Sequence, residues 1–233
     1  MAAYSDKTLA DIVRENHETV RVFEKYNLDY CCRGKKKLSE ACVEKGLNLE
    51  SICNEITAAE SIKSDREVPF GEMSIQQLVS HIIARHHYYA KMSMPLISGH
   101  LDKVANKHGD NYPYMREVRD QFQALQEEML PHLQKEEMVL FPRIIEWVGT
   151  GFSNAGSARI SVPIAVMEKE HEKVSELMQK IRELTNEYIP PTSACTTFRV
   201  SLQELKDFEE DLHQHVHLEN NILFPMIKRI ASN

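Results

Sequence analysis

From residue 74 onward, hydrophobic residues recur every three or four positions in four long segments. This spacing places them on one face of an α-helix and is typical of helices that pack against a common core. Short polar, glycine-rich or proline-containing connections separate the segments, which cover residues 74–98, 112–147, 162–188 and 193–230. Four such helices with connections of these lengths predict an antiparallel four-helix bundle.

The first 60 residues have shorter hydrophobic periods divided by turns, which predicts a small helical domain. Thr8 is placed to cap a helix over 9–26, Gly46 to end a second helix, and Asn48 to cap a third. The polar stretch that follows contains proline and glycine and is typical of a linker. We therefore predict an all-α protein with a small helical N-terminal domain, a linker and a bundle domain, at residues 1–60, 61–73 and 74–233.

Composition narrows the class of protein without defining its chemistry. The net charge of −7 argues against a protein that binds nucleic acid through phosphate contacts. The sequence contains no apolar run long enough to span a membrane and no visible secretory signal. Five cysteines without an export signal indicate a reducing compartment. We expect a cytoplasmic protein that contacts neither nucleic acid nor membrane.

Two stretches of the chain, PHLQKEEMVLFP and QHVHLENNILFP, repeat each other at an offset of 83 residues. His132 matches His215, Glu136 matches Glu219, and both stretches end in Leu-Phe-Pro. Two similar helix ends would explain the shared Leu-Phe-Pro, but not the matched histidine and glutamate. The repeat therefore predicts two related helix pairs whose equivalent side chains meet at the centre of the bundle.

Helical periodicity places these histidines and glutamates in the predicted core. Residues i and i+4 share a helix face, and three apolar lines each continue through a histidine, two of them also through a glutamate. The lines are Phe122-Leu125-Met129-His132-Glu136-Val139, Ile164-Met167-His171-Val174-Met178-Ile181 and Leu205-Phe208-Leu212-His215-Glu219-Ile222-Met226. A buried carboxylate costs several kcal/mol unless it is paired or binds a metal. The combination therefore indicates a metal site.

Periodicity is less decisive for the other histidines. His86 and His87 are adjacent in the first long segment, and each lies on an apolar line, so both remain candidates. His213 and His217 lie about 200° around the helix from His215. We predict that they form an exposed pair without a functional role.

The residue types of the predicted core point to a class of metal. Imidazole and carboxylate ligands without thiolate suit iron or manganese better than structural zinc or an iron–sulfur cluster. The order His-x-x-x-Glu differs from the Glu-x-x-His of ferritin-like di-iron proteins and resembles that of hemerythrin-like bundles. Four histidines and two bridging glutamates would leave an open position on each of two metal ions. Respiratory hemerythrins have a further histidine where Ser175 stands in this chain, which argues against an oxygen carrier.

Nearly the whole chain resembles the Repair of Iron Centres family, di-iron proteins of the YtfE/ScdA type with a hemerythrin-like domain. The resemblance rests on Asp-Tyr-Cys-Cys at 29–32 and, in order, on HIIARHH, HLQKEE, MEKEH, PPTSACTT and HVHLENNILFP. It implies two iron ions, bridged by an oxide or hydroxide and bound by His87, His132, Glu136, His171, His215 and Glu219. It also favours His87 over His86, and it places Glu128 and Glu170 along an access route.

The cysteine motif departs from the family pattern at one position. Where the family reads Cys-Cys-Gly-Gly, Cys31 and Cys32 are followed by Arg33 and Gly34. Both thiols are kept, and Arg33 with the lysines at 35–37 is expected to favour thiolate over thiol. A disulfide between adjacent cysteines closes a strained ring. We therefore predict a reversible redox or metal-transfer role for Cys31 and Cys32.

The resemblance implies a protein that repairs iron–sulfur clusters damaged by nitrosative or oxidative stress, through iron donation, nitric oxide handling or both. The implied partners are damaged iron–sulfur proteins and the small ligands nitric oxide and oxygen, and a homodimer is allowed. Such repair need not be enzymatic. Two alternatives stay open: a hemerythrin-like sensor or carrier of oxygen or nitric oxide, and a nitric oxide reductase.

Overall fold

The computed structural model describes residues 4–60, 70–151 and 154–231 and, at 60 and 154–159, the backbone alone. In these ranges the regular structure is helical, apart from an isolated antiparallel bridge between Thr8 and Lys37. The predicted all-α class is therefore confirmed. Most of the predicted linker, residues 61–69, lies outside the described residues. Among the helices described, none is long and apolar enough to cross a membrane.

The described part of the chain forms two compact units. The first contains the described residues within Met1–Leu78 and His213–Arg229, and the second contains those within Val79–Leu212 and Ile230–Asn233. The last long helix therefore contributes residues to both units.

Four short helices account for most of the N-terminal part of the first unit: α1 (Leu9–Glu15), α2 (Val20–Lys25), α3 (Leu38–Lys45) and α4 (Leu49–Glu60). The single helix predicted over 9–26 is wrong, because the chain is extended at Asn16, with φ −150° and ψ 109°. The Asn16 side chain accepts a hydrogen bond from the N–H of Glu18 at 2.9 Å, which starts a 3₁₀ turn before α2.

The other helix boundaries predicted in this unit are confirmed. The Thr8 hydroxyl accepts a hydrogen bond from the N–H of Asp11 at 3.1 Å, and the Asn48 side chain accepts one from the N–H of Ser51 at 2.9 Å. Gly46 ends α3 in the left-handed conformation, with φ 63°. Glycine adopts this conformation without the steric cost that other residues incur, so the helix stops there.

Four long helices follow, and three of them pass through a π-helical turn. The first, α5, consists of Ile75–Ile82, a π turn at Ile83–His87, and Tyr88–His108. The second, α6, consists of Tyr114–Lys135, a π turn at Glu136–Leu140, and Phe141–Gly149. The third, α7, is Asn154–Leu184. The fourth, α8, consists of Thr196–His217, a π turn at Leu218–Leu223, and Phe224–Ala231.

Two of the predicted helix ends differ from the observed ones for identifiable reasons. α5 continues to His108 instead of ending at residue 98, because Leu101 and Val104 extend its buried face. α7 ends at Leu184 instead of residue 188, because the next turn has positive φ values of 49°, 61° and 61° at Asn186, Glu187 and Tyr188. A right-handed helix cannot include such residues.

In the second unit, the long helices pack as a four-helix bundle around large apolar side chains. Phe208 of α8 lies against Phe122 of α6, with ring centroids 5.6 Å apart, and against Tyr89 of α5 at 6.4 Å. α7 faces the same core with Ile164 and Met178, which are 0% and 1% exposed. The predicted bundle is therefore confirmed.

The π turns change which residues face the core, and two predicted core positions are wrong for this reason. A π turn adds one residue to a helical turn, so the buried positions that follow it move by one. Val139 is 40% exposed, and Leu140 is buried in its place. Met226 is half-buried, and the neighbouring Ile227 is fully buried.

A buried ion pair joins α7 to α8 in the second unit. The carboxylate of Glu209 accepts hydrogen bonds from Nε and Nη2 of Arg182 at 2.9 and 2.6 Å, and from the hydroxyl of Tyr188 at 2.9 Å. Both members of the pair are shielded from solvent, since the side chains of Arg182 and Glu209 are only 12% and 4% exposed. Removing one member leaves the charge of the other buried and unpaired in a low-dielectric environment.

We expect Glu209→Ala to lower the free energy of unfolding by about 3–5 kcal/mol, because it leaves the Arg182 guanidinium buried without its main acceptor. The matched control is Glu183→Ala, which removes an exposed carboxylate that accepts a hydrogen bond from Gln179 at 3.0 Å. This change should cost less than about 0.5 kcal/mol. Urea unfolding followed by circular dichroism measures both, and equal losses would contradict the prediction.

Candidate metal centre

Four of the predicted ligands lie together in the second unit. The carboxylate of Glu136 is 3.4 Å from Nε2 of His87 and 3.3 Å from Nε2 of His132. Nε2 of His132 is in turn 3.0 Å from Nε2 of His171. All four side chains are buried, with exposures of 1% or less. The structure therefore brings three imidazoles and one carboxylate from α5, α6 and α7 into one cluster.

The other two predicted ligands lie together in the first unit. Nε2 of His215 is 3.2 Å from the carboxylate of Glu219, and these side chains are 1% and 0% exposed. The pair has the same i,i+4 spacing as His132 and Glu136, at nearly the same separation. The 83-residue repeat therefore corresponds to two buried histidine–glutamate pairs of matching geometry.

The backbone positions both glutamates in the same way. The N–H of Phe141 bonds to the carbonyl of Glu136, and the N–H of Phe224 bonds to the carbonyl of Glu219, each spanning five residues. A proline follows each phenylalanine. Because proline has no N–H, the carbonyl four residues before it receives no α-helical hydrogen bond, which favours the wider turn. The repeat therefore includes the π turns as well as the side chains, and π turns frequently occur at functional sites.

Two carboxylates orient the histidines of the cluster from outside. Glu137 accepts a hydrogen bond from Nδ1 of His87 at 2.8 Å, and Glu170 accepts one from Nδ1 of His132 at 2.9 Å. Lys91 bonds to Glu137 at 2.6 Å, and Lys135 forms a salt bridge with Glu170. A carboxylate bonded to the second ring nitrogen is the usual partner of a metal-binding histidine, because it sets the tautomer and the ring orientation.

The same contacts keep both orienting carboxylates ionised. Hydrogen bonds from His132 and Lys135 hold the pKa of Glu170 at about 2, against the opposing effect of burial. Burial raises the pKa of Glu137, but hydrogen bonds from Lys91 and His87 outweigh it and hold the pKa below its ordinary value. Both carboxylates are therefore acceptors at neutral pH, and Nδ1 of each histidine is the donor.

This protonation pattern fits a cation at the centre of the cluster. A neutral imidazole with its proton on Nδ1 has its lone pair on Nε2, and in His87 and His132 that atom faces the carboxylate of Glu136. The tautomer follows from the hydrogen bonds. Two lone-pair groups that face each other repel unless a cation lies between them. The separations of 3.4 and 3.3 Å exceed the roughly 2.7–2.9 Å of charge-assisted hydrogen bonds, so metal binding fits them better than doubly protonated histidines.

Both candidates in the first long helix are buried, because the π turn at Ile83–His87 turns both inward. Their partners differ, however. His87 faces Glu136, whereas Nδ1 of His86 lies 3.1 Å from the carboxylate of Asp211. The geometry therefore favours His87 as the ligand, which periodicity alone could not decide.

The prediction that His213 and His217 form an exposed pair is wrong. His217 is 1% exposed, and its ring lies 5.4 Å from that of Tyr30. Burial, together with the nearby charge of His17, lowers the pKa of His217 to about 3 and keeps the ring neutral. Nδ1 of His213 lies 2.8 Å from the carboxylate of Glu24. Both histidines are covered by residues of the N-terminal part of the first unit, which periodicity within one helix does not reveal.

The cysteine motif forms a tight loop in the first unit. Sγ of Cys31 lies 3.8 Å from Sγ of Cys32 and 3.3 Å from a carboxylate oxygen of Asp29. The expected preference for thiolate is wrong for Cys31: contact with Cys32, burial and the charge of Asp29 raise its pKa well above the ordinary value. Lysines 36 and 37 form salt bridges with Glu44 and Asp6. Their charges are therefore partly neutralised instead of acting on the thiols.

The sequence did not predict a role for Glu137, and it predicted a different role for Glu170 from the one observed. Glu137 orients His87, and its only signal in the sequence was its place beside Glu136. Glu170, expected along an access route, bonds directly to His132. Glu128, expected along the same route, forms a salt bridge with Lys173.

Comparison with known proteins gives a consistent result. Residues 78–227 match the family model of the hemerythrin HHE cation binding domain, and residues 5–60 match ScdA_N, a domain of unknown function (DUF542). Three similar proteins, each called iron-sulfur cluster repair protein YtfE, come from Shigella boydii serotype 4 (strain Sb227), Escherichia coli O8 (strain IAI1) and Enterobacter sp. (strain 638). Each is 34% identical over 226 residues, which cover 96% of this chain and 97% of the relative.

We expect Glu170→Ala to weaken metal binding about 10–100-fold, because Nδ1 of His132 loses the acceptor that sets its tautomer. Glu172→Ala, which removes an exposed carboxylate from the same helix, should leave the affinity unchanged. Competition with a chelator of known affinity measures both variants. Identical affinities for the two would show that the contact between Glu170 and His132 does not support the site.

Proposed function

The chain belongs to the family of iron–sulfur cluster repair proteins of the YtfE type, with a hemerythrin HHE cation binding domain, and we propose that it restores damaged iron–sulfur clusters through a di-iron centre. The observation that carries the proposal is the buried donor set in which the Glu136 carboxylate faces two Nε2 atoms at 3.3–3.4 Å. Imidazole with carboxylate is a donor set suited to iron.

We assign six residues to this centre: His87, His132, Glu136, His171, His215 and Glu219. Matched histidine–glutamate pairs support the assignment, because each pair is buried, has i,i+4 spacing and has its glutamate in a π turn. Two bridging glutamates and four histidines would supply about four protein ligand atoms to each of two ions. All six residues fall within the range matched by the cation binding domain.

Two iron ions held there would supply coordination positions that exchange with small ligands and iron that can be released. The residues of the chain hold and orient the site: Glu137 and Glu170 keep Nε2 of His87 and His132 directed at Glu136. Ser175 stands where an additional histidine would close the site further. This open position favours donation of iron or handling of nitric oxide over the carrier function of respiratory hemerythrins.

The proposed clients are iron–sulfur proteins damaged by nitrosative or oxidative stress, with nitric oxide and oxygen as the small ligands of the centre. Cys31 and Cys32 are assigned a redox or transfer role in this process. Their thiols are 3.8 Å apart, and Cys32 is partly exposed, so a client or a cation can reach the pair from one side. The proposal allows a homodimer but does not require one.

Repair activity should depend on the buried ligands. The iron-loaded protein should restore activity to an iron–sulfur enzyme damaged by nitric oxide, whereas the variant with His132→Ala and Glu136→Ala should restore almost none. The matched control is the variant with His100→Ala and Glu204→Ala, which removes another histidine–glutamate pair, 2.7 Å apart and partly exposed, from the same bundle. Equal restoration by all three proteins would contradict a role for the centre.

Metal content distinguishes the proposed centre from other metal sites. The purified protein should contain two iron ions per chain and show the visible absorption of a bridged diferric pair. Reversible oxygen binding without restoration of a damaged enzyme would favour the carrier alternative, and steady consumption of nitric oxide with an electron donor would favour the reductase. One zinc ion per chain would contradict a di-iron centre.

A further inference from the structure

The geometry points to a second metal site, formed by Asp29, Cys31 and Cys32 and suited to a thiophilic divalent cation of the first transition row. One ligand atom from each of the three residues lies within 4.8 Å of the others. These residues are separate from the histidine–glutamate centre and supply a different kind of ligand. A role of this site in transferring iron to a client would rest on the proposed function. The existence of the site does not depend on that function.

Two separations between the ligand atoms are close to those around a tetrahedral ion. Two thiolate sulfurs bound at about 2.3 Å to one such ion lie about 3.8 Å apart, and a sulfur and a carboxylate oxygen lie about 3.6 Å apart. The two sulfurs are 3.8 Å apart, and Sγ of Cys31 is 3.3 Å from an Asp29 oxygen. A disulfide would require the sulfurs to approach to about 2.05 Å within a strained ring. The loop as folded therefore suits a shared cation better than a disulfide.

The loop is preorganised by its own hydrogen bonds. One Asp29 oxygen accepts hydrogen bonds from the N–H groups of Cys32 and Arg33, at 2.9 and 3.2 Å. The side chain of Asn221 donates to the carbonyls of Tyr30 and Cys31, at 3.1 and 2.9 Å. Because the turn is already held in this shape, cation binding would not have to order it.

A glycine closes the loop where no other residue fits. A Cβ at Gly34 would lie 2.4 Å from the carbonyl oxygen of Tyr30 and 2.8 Å from Oδ1 of Asn221. The backbone therefore turns back closely behind the cysteines and keeps them against Asn221. Of the two glycines that follow the cysteines in the family pattern, this chain has the second, Gly34, where packing leaves no room for a side chain.

The chemistry of the three ligands indicates a site for exchange. Binding a divalent cation M²⁺ forms two M–S bonds and one M–O bond and releases the two thiol protons to solvent. The resulting group has a net charge of −1, which the neighbouring Arg33 offsets. Three protein ligands leave a fourth position of a tetrahedral ion open. Cys31 is 2% exposed whereas Cys32 is partly exposed, so the open position lies on the side from which a client thiolate can approach.

Cobalt titration tests the site in the full-length, iron-loaded protein with reduced thiols. Co²⁺ bound to thiolate gives a near-ultraviolet charge-transfer band that a histidine–carboxylate centre cannot give. We expect one equivalent of Co²⁺ to produce this band in the unchanged protein and none in Cys32→Ser. Asp29→Asn keeps an oxygen for the two backbone hydrogen bonds but loses the charged ligand, so it should weaken cobalt binding at least about tenfold.

Cys195→Ser is the matched control, because Sγ of Cys195 lies 3.2 Å from Nε2 of His108 and this pair could itself bind cobalt. The band should persist in this variant. Its loss there, its survival in Cys32→Ser, or its absence from the unchanged protein would each overturn the proposal. Iron content is measured in every sample. If it stays at the unchanged value while the cobalt band is missing, the second site fails and the di-iron centre stands.

Discussion

Burial of the Glu136 carboxylate beside two imidazoles is the constraint on which the site depends. Glu136 is fully buried, and its carboxylate lies 3.4 Å from Nε2 of His87 and 3.3 Å from Nε2 of His132. An ionised carboxylate in such a place costs several kcal/mol unless a cation shares it. The orienting carboxylates make the cost larger, since they fix the proton of each histidine on the far side of the ring. Such an arrangement is typical of a site that holds a cation.

Much of this could be read from the sequence, because apolar periodicity and one internal repeat carried the information. The line from Ile164 to Ile181 is buried throughout, with His171 in its middle. The repeat at an offset of 83 residues predicted that both histidine–glutamate pairs are buried, and both are. Within each helix these features are local, since the apolar line and the i,i+4 pair depend only on residues close together in the chain. Local patterns of this kind are the ones that sequence reasoning recovers well.

The failures that concern buried positions have two physical sources. Periodicity assumes 3.6 residues per turn, so the π turns at Glu136–Leu140 and Leu218–Leu223 moved the buried positions to Leu140 and Ile227. Periodicity also treats a helix as packed on one side only. The side chain of His217 was predicted to be exposed to solvent, but it is buried against the ring of Tyr30. Contacts between segments far apart in the chain leave no trace in the spacing of residues along one helix.

The π turn that carries Glu219 also carries a residue that contacts the cysteine loop. Asn221 lies two residues after Glu219 in that turn, and its side chain donates to the carbonyls of Tyr30 and Cys31. An α-helical turn would orient Asn221 differently, so the wider turn that positions the glutamate also directs the amide at the loop. A change at the thiols that moves these carbonyls must therefore either break two buried hydrogen bonds or shift the turn. Each buried hydrogen bond left unmade costs about 1–3 kcal/mol, so the two bonds from Asn221 oppose movement of the loop away from the turn. Asn221 therefore links the backbone of the cysteine loop to the turn that carries Glu219.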